Sequence, residues 1–193
     1  MTPEQRRILE QKKKQLQLKI AAEQFVAERI QPYLEILDEL ARAEIQYSIV
    51  ALSYIDPEQQ PFLEPLLQQE PFTNYKLSQA IILDNNPLVD QLLDLYPNTH
   101  PMRYVPDLPI YDDYFFVEEW IKEHNLADKE VYLYHLSYAL LLKVNFSELV
   151  KKATDEIFNF WYGDAVVFPE DYSWIIAYSI NGQWRFGKHS TLR

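Results

Sequence analysis

The stretch "SWIIAYSINGQWRFGK", residues 173–188, predicts that the chain ends in antiparallel β-structure. Two runs rich in aromatic and β-branched residues, a composition typical of strands, lie on either side of Asn181 and Gly182. Asn-Gly between two such runs is a strong hairpin signal, because both central residues of a type I′ turn need a positive φ. We therefore expect a C-terminal hairpin that turns over these two residues.

The same turn assigns the hairpin side chains to two faces. With two residues in the turn, Tyr178 lies opposite Arg185, and Trp174 shares their face. Trp184 then lies on the other face, and Gly187 leaves room between the large rings or ends the strand at a bulge. Tryptophan, tyrosine and arginine dominate binding energy at protein interfaces, so Trp174, Tyr178, Trp184 and Arg185 are candidate binding residues. The alternative for Arg185 is a stacked surface arginine that covers the sheet.

Four further segments have the composition of strands. Residues 164–168, "DAVVF", join the hairpin through the turn "PEDY" and complete a three-strand meander. Residues 45–55, "IQYSIVALSYI", are apolar on both faces, as a central strand would be. Residues 131–136 and 140–146 suit two strands, but a buried helix is the competing interpretation, because "YALLLKV" is poor in β-branched residues.

Helix signals occupy the remaining ordered segments. Residues 145–161 repeat apolar side chains at helical steps, with Ser147 as N-cap and Gly163 after the last turn. Residues 86–96 and 112–126 also predict helices, since each begins with an Asn or Asp cap before an apolar face.

The N-terminus predicts one long helix with a kink. Thr2 and Gln5 can form a capping box around Pro3, and apolar residues then recur at helical steps. Pro32 removes a backbone donor, so the helix should kink just before it and continue to about Arg42.

These elements predict an α+β fold, with helices packed on a mostly antiparallel sheet. Residues 1–24 are polar almost all round, so we expect a projecting helical extension followed by a single domain over 25–193. Residues 57–109 hold nine of the twelve prolines and are acidic. Within this part of the chain, 73–79 and 100–113 are expected to be surface loop.

Charge is distributed unevenly along the chain, whose formal net charge is −11. Residues 1–20 carry six Lys or Arg and two Glu, whereas residues 56–119 carry twelve acidic and two basic side chains. An acidic surface repels phosphate backbones and attracts a basic partner, so we expect a basic protein partner and no nucleic acid. The simpler interpretation is that these charges keep the protein soluble. The candidate contact residues are Asp112, Asp113, Glu118 and Glu119.

Several kinds of chemistry lack the residues they need. The chain has no cysteine, and its four histidines show no metal-ligand spacing. Three glycines cannot build a phosphate-binding loop, and adjacent carboxylates on a helix point in different directions. We therefore expect no catalytic site, metal or cofactor, and we interpret His135 as a core residue. No apolar run approaches the roughly 20 residues of a membrane helix, and the N-terminus lacks the pattern of a secretory signal, so we expect a cytoplasmic protein without a membrane partner.

Residues 132–188 carry a resemblance to a known class. A helix, a strand ending in "FP", a short acidic turn, a strand with a tryptophan and a final hairpin follow one another, most clearly in "VVFPEDYSWIIAYS". This order resembles the C-terminal part of small bacterial immunity proteins of toxin systems, including the SMI1/KNR4-like group. The resemblance implies a non-enzymatic binding protein that neutralises a toxin.

Three functions follow as hypotheses. The first is a cytoplasmic, non-enzymatic interaction domain whose acidic surface binds a basic protein, such as a toxin domain. The second is a small-ligand-binding or hydrolytic domain with an aromatic pocket lined by Trp174, Tyr178, Trp161 and Tyr134. The third is a scaffold that forms a homodimer through the N-terminal helix.

Overall fold

The computed structural model of the 193-residue chain describes residues 2–53, 55–95, 114–126, 130–135, 140–152, 157, 165–179 and 183–188. The helices are α1 (Pro3–Phe25), α2 (Leu34–Arg42), α3 (Gln60–Leu67), α4 (Pro87–Leu95), α5 (Tyr114–Glu123) and α6 (Phe146–Lys152). The strands are β1 (Tyr47–Leu52), β2 (Ile81–Ile82), β3 (Glu130–His135), β4 (Leu140–Asn145), β5 (Ala165–Pro169), β6 (Trp174–Ser179) and β7 (Gln183–Lys188).

All of these strands belong to one sheet, in the order β2-β1-β4-β3-β5-β6-β7. Neighbouring strands run antiparallel except β1 and β2, which run parallel. The α+β class, the mostly antiparallel sheet and the C-terminal meander are thereby confirmed. Strands β3 and β4 decide the open question over residues 131–146 in favour of two strands.

Apolar side chains are buried on both faces of the sheet. One face, which we call the helical face, packs Leu133, Leu142 and Trp174 against α2, α3, α5, α6 and the end of α1. Alternate residues of the same strands, such as Tyr134 and Phe168, point to the opposite side, which we call the second face and on which α4 packs. Because both faces are covered, most positions of β3 and β4 are apolar rather than alternating, which explains why residues 131–146 also suited a buried helix.

The N-terminal helix has the predicted cap and bend. The backbone N–H of Gln5 donates to Thr2 Oγ1 (3.2 Å), and Thr2 N–H donates to Gln5 Oε1 (2.9 Å), which completes the capping box. A π-helical turn, Val26–Ile30, follows α1, and a further turn that contains Pro32 leads into α2. Since proline cannot donate to the helical ladder, the wider turn and the break fall where the sequence predicted the kink.

The hairpin has a different register from the predicted one. Ser179 pairs with Gln183, which leaves three residues between the strands, and Tyr178 therefore lies opposite Trp184. Arg185 lies opposite Ala177, so the predicted Tyr178–Arg185 pair is wrong by one residue. Three-residue loops with a glycine are the next most common hairpin class, so Asn-Gly fits either length. Burial decides between them, because the observed register places Trp184 on the helical face.

Two smaller expectations also need correction. The cap of α6 is Asn145, whose Oδ1 accepts from the backbone N–H of Glu148 (3.0 Å), and not Ser147. Residues 73–79 lie at the surface as expected, but they are not an irregular loop, because they fall in two short 3₁₀ helices, Phe72–Tyr75 and Leu77–Gln79, and Leu77 is buried. The following expectations fall outside the described residues: those for Gly163, Asn181, Gly182 and 100–113.

Candidate functional site

Two of the candidate binding residues lie inside the core. Trp174 and Trp184 are 2% and 5% exposed and face the helices. The centroid of the Trp174 ring lies 4.8 Å from that of Phe146, and the rings of Tyr178 and Trp184 are 4.6 Å apart. Tyr178 is half-buried at the margin of the same cluster. The two tryptophans therefore hold the meander against the helices, and Tyr178 alone of these three aromatics retains exposed surface.

Arg185 lies on the second face of the sheet. It is half-buried, and its neighbours in sequence, Trp184 and Phe186, point to the opposite face. The one-residue register shift therefore separates Arg185 from the Tyr178 ring. A role for Arg185 as an interface anchor stays a prediction.

The aromatic residues proposed for a ligand pocket do not converge. Trp174 and Tyr178 lie on the helical face, whereas Tyr134 lies on the second face. The sheet separates these rings, and Trp161 lies outside the described residues. Alternation along the strands thus rules out a pocket lined jointly by Trp174, Tyr178 and Tyr134.

Two of the acidic candidate residues, Glu118 and Glu119, belong to α5. Glu119 is exposed and Glu118 half-buried, whereas the next two residues, Trp120 and Ile121, are buried on the helical face. The two carboxylates therefore lie on the outer side of α5. Asp112 and Asp113 fall outside the described residues.

His135 is the most strongly perturbed titratable group among the described residues. Its ring is fully buried, its Nδ1 accepts from the Tyr33 hydroxyl (2.8 Å), and its Nε2 donates to the Ile157 carbonyl (2.8 Å). A carbonyl can only accept, so the proton lies on Nε2, and the neutral ring then accepts the Tyr33 hydroxyl at Nδ1. Burial lowers the pKa of His135 to about 4, against a smaller opposing effect of the Ile157 carbonyl. The ring serves packing rather than proton transfer with solvent, as the sequence predicted.

A groove opens at the β2 end of the sheet, between α3 and the second 3₁₀ helix. This cavity, the β2 groove, has a volume of about 310 Å³. Its apolar lining consists of Leu67, Leu77, Ala80 and Ile82. Its polar lining consists of Gln60, Glu64, Gln68 and Ser78. Half of the lining residues are polar, and three of these, Glu64, Gln68 and Ser78, are exposed, whereas Leu67 and Leu77 are buried at the apolar side of the groove.

The backbone beside the groove has an open edge. Leu83 donates its N–H to the Leu52 carbonyl (2.8 Å), and its carbonyl accepts from Ile55 N–H (3.2 Å), so both of its groups face β1. Successive residues of a strand direct these groups to opposite edges. The N–H and C=O of Ile82 therefore point away from β1, at the margin of the sheet.

The groove carries negative charge. Glu64 lies at its rim and accepts from the Gln60 side-chain amide (3.1 Å). Nearby in the chain, Glu58 at the start of the α3 region pairs with Lys14 of α1 (2.8 Å). A basic residue of the N-terminal helix thus already contacts this acidic part of the molecule.

The described residues show no arrangement typical of a metal centre or membrane segment. No group of three or more His, Asp or Glu side chains lies close enough in them to share a metal ion. In the same part of the chain, no helix has the length and apolar character needed to cross a bilayer.

Comparison with known protein families, with curated proteins and with solved structures gives no match. The function is therefore inferred from the surface of this chain itself.

The β2 groove was missed from sequence, although its parts left signals. "QPFLEPLL" places Pro61 in the first helical turn and spaces Leu63 and Leu67 by four, a pattern typical of a short helix. Strand β2 has only two residues, Ile81 and Ile82, which is too short for a periodicity to show in the sequence. The close spacing of prolines in this part of the chain permits only short regular elements, which leave weak sequence signals.

Proposed function

We propose that this chain is a non-enzymatic, cytoplasmic interaction protein whose acidic surface binds a basic protein, in the specific form of an immunity protein that neutralises a toxin domain. The resemblance of residues 132–188 supports the specific form. The supporting observation for the general form is the charge and exposure of residues 55–95.

Residues 55–95 carry seven acidic side chains and one basic one, Lys76. Six of the acidic residues are exposed, namely Asp56, Glu58, Glu64, Glu70, Asp84 and Asp94. Charges of one sign on one segment raise the rate of encounter with an oppositely charged partner and disfavour partners of like sign. A basic toxin domain has the complementary charge.

The test is the salt dependence of binding kinetics. A partner captured on the immobilised chain is identified and purified. Its association and dissociation rates are then measured at about 50 mM and about 150 mM salt, since the screening length is appreciably shorter at the higher concentration. A basic partner should associate several-fold more slowly at the higher salt concentration with little change in dissociation. For the specific form, co-expression of the chain should restore growth to cells that express the partner. An acidic partner, or association that ignores salt, would contradict the proposal.

A homodimer through α1 is a second candidate function, favoured by one exposed stripe. Leu9, Leu16 and Ile20 are 58%, 59% and 44% exposed and are spaced by seven and four residues, so they share one side of the helix. Lys14 and Ala22, which contact the rest of the chain, lie on the opposite side. Sedimentation of the full chain tests this candidate: a dimer that Leu16→Lys converts to monomer supports it, and a wild-type monomer overturns it.

A further inference from the structure

We infer that the β2 edge and the β2 groove together form the docking site for an extended, basic segment of the partner, which adds to the sheet beside β2. This inference rests on the proposed function, since it names where and how the basic partner binds. Three features of the structure support it.

The first feature is the open edge. β2 is the last strand of the sheet beyond β1, and the N–H and C=O of Ile82 point outward. Outward backbone groups of an edge strand pair readily with an extended peptide. The side chain of Ile81 is 61% exposed, so an apolar surface also adjoins this edge. Among the described residues, no strand pairs with the outer side of β2.

The second feature is the groove beside this edge. In an added strand, alternate side chains point to the same face of the sheet. Ile82 lines the groove and packs on the helical face, so a side chain of the added segment that points to that face enters the groove. A volume of about 310 Å³ lies at the lower end of the range for small-ligand pockets, which suits one or two side chains rather than a large cofactor.

The third feature is charge, which selects the occupant. The groove rim carries one carboxylate, Glu64, and none of the described residues that line the groove is basic. The Lys14–Glu58 pair shows that an amine side chain is accommodated next to α3. A segment with lysine or arginine beside an apolar residue therefore matches the site, whereas an acidic segment would be repelled.

The probe is a synthetic heptapeptide that alternates lysine and valine, with both ends blocked. Binding is followed by amide NMR shifts of the full chain. We expect shifts clustered at residues 60–68 and 77–83. The same peptide with alternate backbone amides methylated cannot donate to a sheet edge and should bind about tenfold more weakly. A peptide with glutamate in place of lysine should not bind.

Variants of the chain test the same contact. Glu64→Gln should lower the affinity for the lysine peptide about three- to tenfold. Glu170 is an exposed carboxylate in the β5–β6 turn, so Glu170→Gln makes the same charge change elsewhere and should leave the affinity unchanged. Ile82→Pro removes an outward N–H without removing a bond to β1 and should abolish strand addition. Thermal unfolding of each variant identifies any loss caused by misfolding, and the methylated peptide probes the backbone contact without a variant.

Defined outcomes overturn the inference. Equal binding of the methylated peptide would show that the groove holds a side chain without strand addition. Concentration-dependent shifts at 77–83 without peptide would assign the edge to a second copy of the chain. The purified partner separates the two proposals. If its association rate depends on salt but is the same for the wild type, Glu64→Gln and Ile82→Pro, the docking site is wrong and the proposed function stands. A partner whose association ignores salt contradicts the proposed function whatever the peptide does.

Discussion

The Tyr33 hydroxyl donates a 2.8 Å hydrogen bond to Nδ1 of His135, and the two rings meet edge to face at a centroid distance of 5.3 Å. Both side chains are fully buried. The contact joins the start of α2 to the end of β3, so it connects the N-terminal helices to the centre of the sheet. Because a buried polar group without a partner is costly, this pair fixes the position of the helix on the sheet.

The buried His135 should make stability depend on pH. Its pKa is about 4 in the folded chain and near 6.5 when unfolded, so the unfolded state takes up the proton first as the pH falls. This group should therefore leave stability unchanged above pH 6.5 and reduce it between pH 6.5 and pH 4, by about 3 kcal/mol in total. Urea unfolding across this range measures the effect. In His135→Gln the free energy of unfolding should lack this decrease between pH 6.5 and pH 4. The same decrease in both proteins would show that His135 is not its source.

Tyr33→Phe should remove the hydroxyl that donates to Nδ1 of His135 and leave this buried nitrogen without that hydrogen bond. The expected loss is about 1–3 kcal/mol in the free energy of unfolding, because the imidazole keeps its desolvation cost. Tyr47→Phe is the matched control, since Tyr47 is only half-buried and should lose much less. Equal losses in urea unfolding would show that the Tyr33 hydroxyl has no special role.

The hairpin register can be tested directly. With Tyr178 opposite Trp184, their rings should give strong NOEs, and Trp184→Ala should cost about 3–5 kcal/mol because it empties a buried site. Arg185→Ala should cost much less, since that half-buried side chain lies on the second face. A larger loss for Arg185→Ala than for Trp184→Ala would indicate the two-residue turn instead.

Residues 1–24 should be dispensable for folding. Ala22 is the only fully buried residue of α1, and the exposed Lys14–Glu58 pair contributes little. Deletion should leave a cooperative melt and cost less than about 2 kcal/mol, the value of a few small contacts. Loss of the cooperative transition in calorimetry would instead make α1 part of the folding unit.

Charge reversal at Asp112, Asp113, Glu118 and Glu119 should slow binding without weakening the fold. Lysine at positions 112, 113, 118 and 119 should lower the association rate of the basic partner, because charges at the edge of an interface act mainly on encounter.

Arg185→Ala should instead raise the dissociation rate if Arg185 is an interface anchor. Surface-immobilised kinetics gives both rates, and thermal unfolding is the control. An unchanged association rate after charge reversal would show that these four residues do not contribute to binding of the partner.

Sequence signals were reliable where one local rule decided the outcome. The capping box at Thr2, the break at Pro32 and the helix after Asn86 follow from backbone chemistry within a few residues. The hairpin register was not local, because Asn-Gly suits two loop lengths and burial of Trp184 chose between them. The β2 groove was less predictable still. It forms where α3 approaches β2, and no pattern within either element records that approach.

Strand β1 lies between β2 and β4, and this position has a consequence for synthesis of the chain. Tyr47 pairs with Val144, so β1 leaves the ribosome long before its antiparallel neighbour exists. At roughly 5–20 residues per second, the intervening chain takes roughly 5–20 s to make. During that interval β1 lacks its β4 neighbour, and the apolar side of α2 lacks the core residues that β3 and β4 contribute. The first half of the nascent chain therefore exposes apolar surface for several seconds, and its acidic side chains disfavour aggregation during that time.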